Sequence, residues 1–209
     1  MHCLRSPVNT DLSVGAKFTN ASDRYIAKAI NMDAKFIQVF TDGSFSSSHP
    51  DVCGIGVHFP NGDFKDLSEP FKIQPTNQRA ELMAIFRAIQ TVREKDPDSR
   101  IEIHTDSKYA IGACTHWLAN WKRHGWKRQI KRPNGTYEWK NVMNQDILRP
   151  LSSVLKNVVF HHVRAHTKLQ DHMSLCNAKA DALAKMGCTK SIETLKNESA
   201  GTNLCTTDS

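Results

Sequence analysis

Residues 36–45 read FIQVFTDGSF, and they are followed by VCGIGVHF at 52–59 and by a third apolar stretch at 64–73. Each is short, rich in β-branched and aromatic residues, and bounded by turn formers, which predicts strands. Pro60-Asn61-Gly62 supplies the hairpin turn between the second and third, so the three form an antiparallel meander. Thr76 then caps a helix in which Leu82, Ile85, Phe86, Ile89 and Val92 recur at helical spacing, until Asp96-Pro97-Asp98 breaks it.

Beyond the break, residues 100–105 predict a fourth strand and 107–121 two short helices. A basic loop containing Pro133-Asn134-Gly135 follows, then a helix across 142–155, a fifth strand at 158–163 and a last helix at 177–186, NAKADALAKM. This order predicts an α/β fold: a five-stranded mixed sheet, its strands 1–3 antiparallel, with helices packed on it. The predicted domain spans 35–188. Residues 1–34 read as a partly disordered extension in which Tyr25, Ile26, Ala29 and Ile30 line one side of a short helix. Residues 189–209, rich in Ser, Thr, Asn and Glu, read as a disordered tail.

The chain has 209 residues, 39% of them hydrophobic, enough for one well-buried domain with flanking segments. Its 28 Lys+Arg against 21 Asp+Glu give a net charge of +7, which puts polyanions, nucleic acid first, at the head of the partners. The six cysteines (Cys3, Cys53, Cys114, Cys176, Cys188, Cys205) form no C-x-x-C pair, which argues against a zinc ribbon or a disulfide framework. No apolar run approaches the ~18 residues of a membrane span, and no secretory signal opens the chain. The sequons at Asn20, Asn134 and Asn197 then read as chance matches. An intracellular location, nucleus or cytoplasm, is expected. The mitochondrion is the minority alternative, since Arg5 precedes the first acid, Asp11.

Asp42 and Asp106 follow apolar strands in matching Thr-Asp-Gly/Ser contexts, Glu81 lies in the first turns of the long helix, and Asp181 lies on the last helix beside Ala180, Leu183 and Ala184. One acid after a strand ordinarily caps a helix, and one acid beside an apolar stripe is ordinarily solvated. Four carboxylates converging on one rim repel each other unless cations sit among them. Hard oxygen donors without Cys or His select Mg²⁺ or Mn²⁺ over Zn²⁺.

Thr41-Asp42-Gly43-Ser44, then Thr76-Asn77-Gln78-Arg79-Ala80-Glu81-Leu82-Met83-Ala84, Thr105-Asp106-Ser107-Lys108-Tyr109, and Val163-Arg164-Ala165-His166 ahead of Ala180-Asp181-Ala182-Leu183-Ala184 resemble the signatures of the type 1 ribonuclease H family. The resemblance covers residues 36–187 in the family's order of elements. It implies a ribonuclease H-like fold and an endonuclease that cuts the RNA strand of RNA–DNA hybrids, leaving 5′-phosphate and 3′-hydroxyl ends. By it Asp42, Glu81, Asp106 and Asp181 hold two Mg²⁺ ions, with Mn²⁺ able to substitute. His166 matches a loop histidine that assists proton transfer or product departure. Fourteen residues separate His166 from Asp181, more than the family pattern carries. A zinc site from His162, His166, His172 and Cys176 in the extra sequence is disfavoured by its irregular spacing.

The resemblance also assigns the substrate contacts. Gly43, Ser44, Asn77, Gln78 and Asn177 match positions that touch the RNA strand, where the 2′-hydroxyl separates RNA from DNA. Trp117, Trp121 and Trp126 are interleaved with Lys122, Arg123, Lys127 and Arg128, as suits a surface that packs on sugars and neutralises phosphates. In the family this is a basic protrusion facing the DNA strand. At least one of these indoles is expected in the core. Thr76 and Asn141 match a DNA-phosphate pocket whose usual arginine is Gln74 here. The family's amino-terminal hybrid-binding domain is not found, and a monomer is expected. All four acids disfavour a hybrid-binding module without catalysis, and the Asn77-Gln78 pair disfavours another nuclease of the same fold.

Overall fold

In the computed structural model, residues 36–165 and 170–202 are described, with side chains as far as Thr194. The extension 1–34 with its expected short helix, and His166 itself, lie outside the described residues. The apolar stretches form β1 (Ile37–Phe45), β2 (Cys53–His58), β3 (Leu67–Phe71), β4 (Ile101–Thr105) and, further on, Val158–His162. They make one sheet in the spatial order third, second, first, fourth, last. β1–β2 and β2–β3 are antiparallel, whereas β4 pairs parallel with β1 and with Val158–His162. The meander and the mixed five-stranded sheet are as expected from the sequence.

The helix α1 (Asn77–Lys95) begins at Thr76, whose Oγ1 accepts from the Arg79 N–H at 3.2 Å. Its stripe of Leu82, Ile85, Ala88, Ile89 and Val92 is fully buried against Val39, Ile55, Ile101 and Ile103 of the sheet. Fully burying each of its Leu, Ile and Val side chains contributes about 1.5–3 kcal/mol. Between β4 and the last strand lie α2 (Lys108–Cys114), α3 (Leu118–Arg123), β5 (Lys127–Lys131), β6 (Tyr137–Asn141) and α4 (Gln145–Leu151). The strand Val158–His162 is therefore β7. The basic loop is an antiparallel two-stranded hairpin turning at Pro133-Asn134-Gly135, with Gly135 at φ 84°.

On the sheet's other face lies α5 (His172–Thr202). Paired residues of an antiparallel ladder point to one face, so Asp42 and Gly56, and Ser44 and Gly54, share the α5 side. A Cβ on Gly54 would stand 2.0 Å from the Ala184 carbonyl oxygen, and one on Gly56 would stand 2.1 Å from that of Ala180. Helix and sheet thus approach backbone to backbone. For residues 189–202 the expectation of a disordered tail is corrected, since α5 continues to Thr202, while 203–209 lie outside the described residues. Its buried side passes without interruption through Ala184, Gly187, Cys188 and Ser191, and Lys190 Nζ donates to the Ser68 carbonyl at 3.0 Å. Four cysteines of the described residues, Cys53, Cys114, Cys176 and Cys188, are free and buried. No helix among the described residues is long and apolar enough to cross a membrane.

Candidate active site

Parallel pairing sets Phe40 of β1 opposite His104 of β4. Asp42 and Asp106 each lie two residues further on, so they emerge side by side at the same sheet end. Glu81 arrives from the opposite face. It can do so because Gly43 lacks a side chain: a Cβ there would lie 2.4 Å from the Glu81 backbone nitrogen and 2.7 Å from the Ala80 carbonyl carbon. One carboxylate oxygen each of Asp42, Glu81 and Asp106 lies within 4.8 Å of the other two. Asp181 reaches Asp42 from α5, while its own Oδ2 accepts from Lys185 Nζ at 2.7 Å.

The electrostatics follow from this crowding. Burial first, then the charges of Asp106 and Asp181, push the Asp42 carboxyl up to about 7, against a 2.8 Å bond from the Gly43 N–H that favours the anion. Burial, then Asp42 and Asp106, push Glu81 up to about 9. Glu81 Oε2 is buried without a hydrogen-bond partner. A buried, partnerless oxygen among converging carboxylates is what a hard divalent cation satisfies, so the donor set fits Mg²⁺ or Mn²⁺.

A pH dependence follows. A carboxyl whose folded pKa lies above its unfolded value holds protons in the native state that the unfolded chain has shed. The associated stability is present below about pH 4 and lost as the pH rises through about 7 for Asp42 and about 9 for Glu81. Metal-free protein is therefore expected to melt at a lower temperature at pH 8 than at pH 5.5, with saturating Mg²⁺ removing most of the difference. Scanning calorimetry with and without chelator measures this. A metal-free Tm that rises over that range, and rises equally in Asp42→Asn, contradicts the clustering.

Of the expected RNA-strand contacts, Gly43 is buried under α1 and Ser44 is half-buried beyond it. Asn77 and Gln78 are exposed at the start of α1. Asn177 is buried on α5, and its Nδ2 donates to Asp106 Oδ2 at 3.5 Å, while its Oδ1 has no partner. The neighbouring surface is a cavity of about 380 Å³ lined by Gln78, Tyr109, Trp117, Trp121, Arg128, Val142 and Met143. Trp117 is 42% exposed and packs between Tyr109 and Trp121, at ring centroid distances of 6.1 and 5.6 Å. Trp121 is largely core, although it also lines the cavity.

Trp126 corrects the sequence reading. It is a buried core residue under the Arg149 guanidinium, 4.9 Å from its ring centroid, and is not part of the cavity lining. Its backbone, at φ 63°, turns the chain from α3 into the hairpin and aims the indole inward. Lys122, Arg123, Lys127 and Arg128 are exposed, as expected. Thr76 and Asn141 are exposed too, although the Thr76 hydroxyl already caps α1. His162 and His172 join no metal-type grouping among the described residues; Cys176 Sγ merely lies 3.7 Å from His172 Nε2.

Sequence reasoning missed Arg79, Tyr109 and Met143. Arg79 is buried and donates through both terminal nitrogens to Asp146, at 2.8 and 2.5 Å, which ties the start of α1 to α4. Nothing in the periodicity reveals a buried arginine inside a polar helix start. Tyr109, bonded through its hydroxyl to Asn144 Nδ2 at 3.0 Å, stands three residues after Asp106, and its aromatic character was the available signal.

Comparison with known proteins agrees with this geometry. The family model described as RNase H matches residues 34–189. Ribonuclease H of Thermosynechococcus vestitus is 34% identical over 130 residues, 61% of this chain and 76% of that protein. Ribonuclease H of Bordetella pertussis is 32% identical over 155 residues, 74% of this chain and 90% of that protein. Among solved structures, a foamy viral protease-reverse transcriptase in complex with RNA/DNA hybrid shares the fold at TM-score 0.56 and 17% identity, over 87% of this chain and 22% of that one. The match across three quarters of the sequence, carrying the Asp42, Glu81, Asp106 and Asp181 positions within it, establishes that the chain belongs to the RNase H family of enzymes.

Proposed function

We propose that this chain hydrolyses the RNA strand of RNA–DNA hybrids by two-metal-ion chemistry, giving 5′-phosphate and 3′-hydroxyl ends. The observation that carries the reading is the convergence of Asp42, Glu81 and Asp106 within 4.8 Å, beside a cavity lined with aromatic and cationic side chains. Mg²⁺ ions, or Mn²⁺ in their place, would polarise the scissile phosphate and lower the pKa of the attacking water. Asp42, Glu81, Asp106 and Asp181 hold these ions. Asn177 steadies the Asp106 carboxylate through its amide nitrogen, beside the path of the RNA strand.

Asn77 and Gln78 meet the RNA minor groove, where amides pair with the 2′-hydroxyl as donor or acceptor. Trp117 and Trp121 pack on DNA sugars. Lys122, Arg123, Lys127 and Arg128 meet phosphates of the DNA strand, with Thr76 and Asn141 at a further one. His166, on the segment ahead of α5, takes part in proton transfer or product departure. The protein acts as a monomer inside the cell. The 32% identity to Ribonuclease H of Bordetella pertussis over 74% of this chain supports this choice of substrate.

The test is incubation of end-labelled hybrid, duplex RNA and duplex DNA with the protein and Mg²⁺. Cleavage confined to the RNA of the hybrid, with products that need phosphatase before they can be labelled at the 5′ end, supports the reading. Comparable cutting of duplex DNA contradicts it.

The exposed cations of α3 and β5 lie outside the carboxylate cluster, so they should act on binding rather than on chemistry. Replacing Lys122, Arg123, Lys127 and Arg128 together by alanine is expected to raise KM with kcat nearly unchanged. The slope of log affinity against log salt should become shallower by roughly 0.7–0.9 for each phosphate no longer neutralised. An unaltered KM and slope would show that the hybrid is held elsewhere.

A further inference from the structure

Phe40, Asp42 and Ser44 of β1 point to the α5 side of the sheet, and the same alternation turns Glu102 and His104 of β4 and His161 of β7 that way. His104 pairs with Phe40 on one side and with His161 on the other, one pleat below Asp42 and Asp106. Glu102, His104 and His161 offer one ligand atom each within 4.8 Å of one another, a second such grouping separate in composition from the catalytic one. His104 Nε2 and His161 Nε2 both lie 3.9 Å from the Glu102 carboxylate, one on each oxygen. The two imidazoles stack at 4.7 Å. Their sheet strands hold them in this order without help from any loop.

We propose that Glu102, His104 and His161 form a second metal site, for one borderline divalent transition ion of the Zn²⁺ class, distinct from the Mg²⁺-type carboxylate cluster. Two imidazoles and one carboxylate are the donor set that such ions prefer, whereas Mg²⁺ and Ca²⁺ favour oxygen alone. His104 is buried, and its Nδ1 has no hydrogen-bond partner. Its Nε2 faces the Gln38 amide at 3.3 Å and the Glu102 carboxylate at 3.9 Å.

Ligand atoms around a tetrahedral zinc ion at ~2.05 Å stand about 3.4 Å apart. The present 3.9 Å separations exceed this by about half an ångström. Binding requires the half-exposed His161 ring to turn out of its stack on His104 so that the two imidazole planes converge on the ion, and Glu102 to follow, while the backbone register stays fixed. Gln38 must yield its long hydrogen bond and can offer its carbonyl oxygen in the fourth position, which otherwise takes water. The bound ion would tie β4 to β7 beneath the sheet end that carries Asp106.

The test titrates Zn²⁺ into the full chain by calorimetry, with Mg²⁺ in large excess to keep the catalytic carboxylates occupied. Co²⁺ absorption then reports nitrogen ligation. Wild type and Asp42→Asn should each bind about one equivalent and show visible Co²⁺ bands of nitrogen-ligated character. His161→Gln and Glu102→Gln should each weaken binding by more than the about 10–100-fold that loss of an outer-shell partner costs. Their Mg²⁺-bound melting temperatures, unchanged without Zn²⁺, show that both variants fold. Undiminished Zn²⁺ binding in these variants, its loss in Asp42→Asn, or absence of binding in wild type would overturn the proposal.

Discussion

Asp42→Asn is expected to lower hybrid cleavage by at least about a thousandfold, the equivalent of about 4 kcal/mol of transition-state stabilisation. The same change should make the metal-free protein more stable. Both effects have one origin. Asp42 stands between Glu81, Asp106 and Asp181, and the folded state must keep these like charges together in a buried place, as the raised carboxyls of Asp42 and Glu81 record. Asparagine keeps the volume and can still accept from Gly43, but it removes the charge that a cation needs. Relief of the repulsion is expected to add roughly 1–3 kcal/mol at pH 8, or a rise in Tm of roughly 2–4 °C per kcal/mol for a domain of this size. Thermal melts in chelator and single-turnover rates in Mg²⁺ measure the two halves. An Asp42→Asn protein that is less stable without metal, or that still turns over, would mean that the acid has a structural role instead.

Gly43→Ala should be a severely damaging one-carbon change at the site. The added Cβ would meet the Glu81 nitrogen at 2.4 Å, the Ala80 carbonyl carbon at 2.7 Å and the Ala80 Cβ at 2.8 Å. Two of these atoms are backbone, so no side-chain rotation relieves the clash, and α1 must lift from β1. Overpacking of this kind costs typically 1–3 kcal/mol and more when backbone must move. A loss of about 3 kcal/mol corresponds to a Tm lower by roughly 6–12 °C. Since Glu81 moves with the helix, activity should fall by about a further hundredfold at a temperature where the variant is fully folded, the effect of a displacement near 1 Å. Wild-type melting and wild-type kcat in Gly43→Ala would show that β1 and α1 do not touch in solution as they do here.

The sheet, α1 and the four acids were legible because each is written in local patterns: apolar strands with a Thr-Asp ending, and a 3.6-residue stripe with an acid at its edge. The hairpin of β5 and β6 was not. Lys127–Lys131 has almost no buried side chain, so its alternation carries no apolar signal, and the pairing rests on backbone hydrogen bonds and an exposed Arg132–Glu138 ion pair. The second half of α5 escaped for a related reason. Its sheet-facing residues after Leu183 are Ala184, Gly187, Cys188 and Ser191, chosen for size rather than hydrophobicity, and they pack because β2 presents glycines. Trp126 misled because a cationic neighbourhood in sequence says nothing about which way a residue at positive φ sends its side chain. The converse holds for His104, whose position below Asp106 is plain in the sequence but whose two metal-type neighbours appear only once β4 and β7 are paired.

On the proposed function, hybrid hydrolysis depends on a small, hard divalent ion held by the converging carboxylates. Initial cleavage rates on one labelled hybrid, measured after chelation and then with Mg²⁺, Mn²⁺ or Ca²⁺ restored at matched ionic strength, test it most directly. The expected result is no cleavage in chelator, recovery with Mg²⁺ and Mn²⁺, and none with Ca²⁺, whose longer and looser coordination cannot hold the tight geometry that the reaction needs. Cleavage that survives chelation, or that proceeds equally in Ca²⁺, would contradict it.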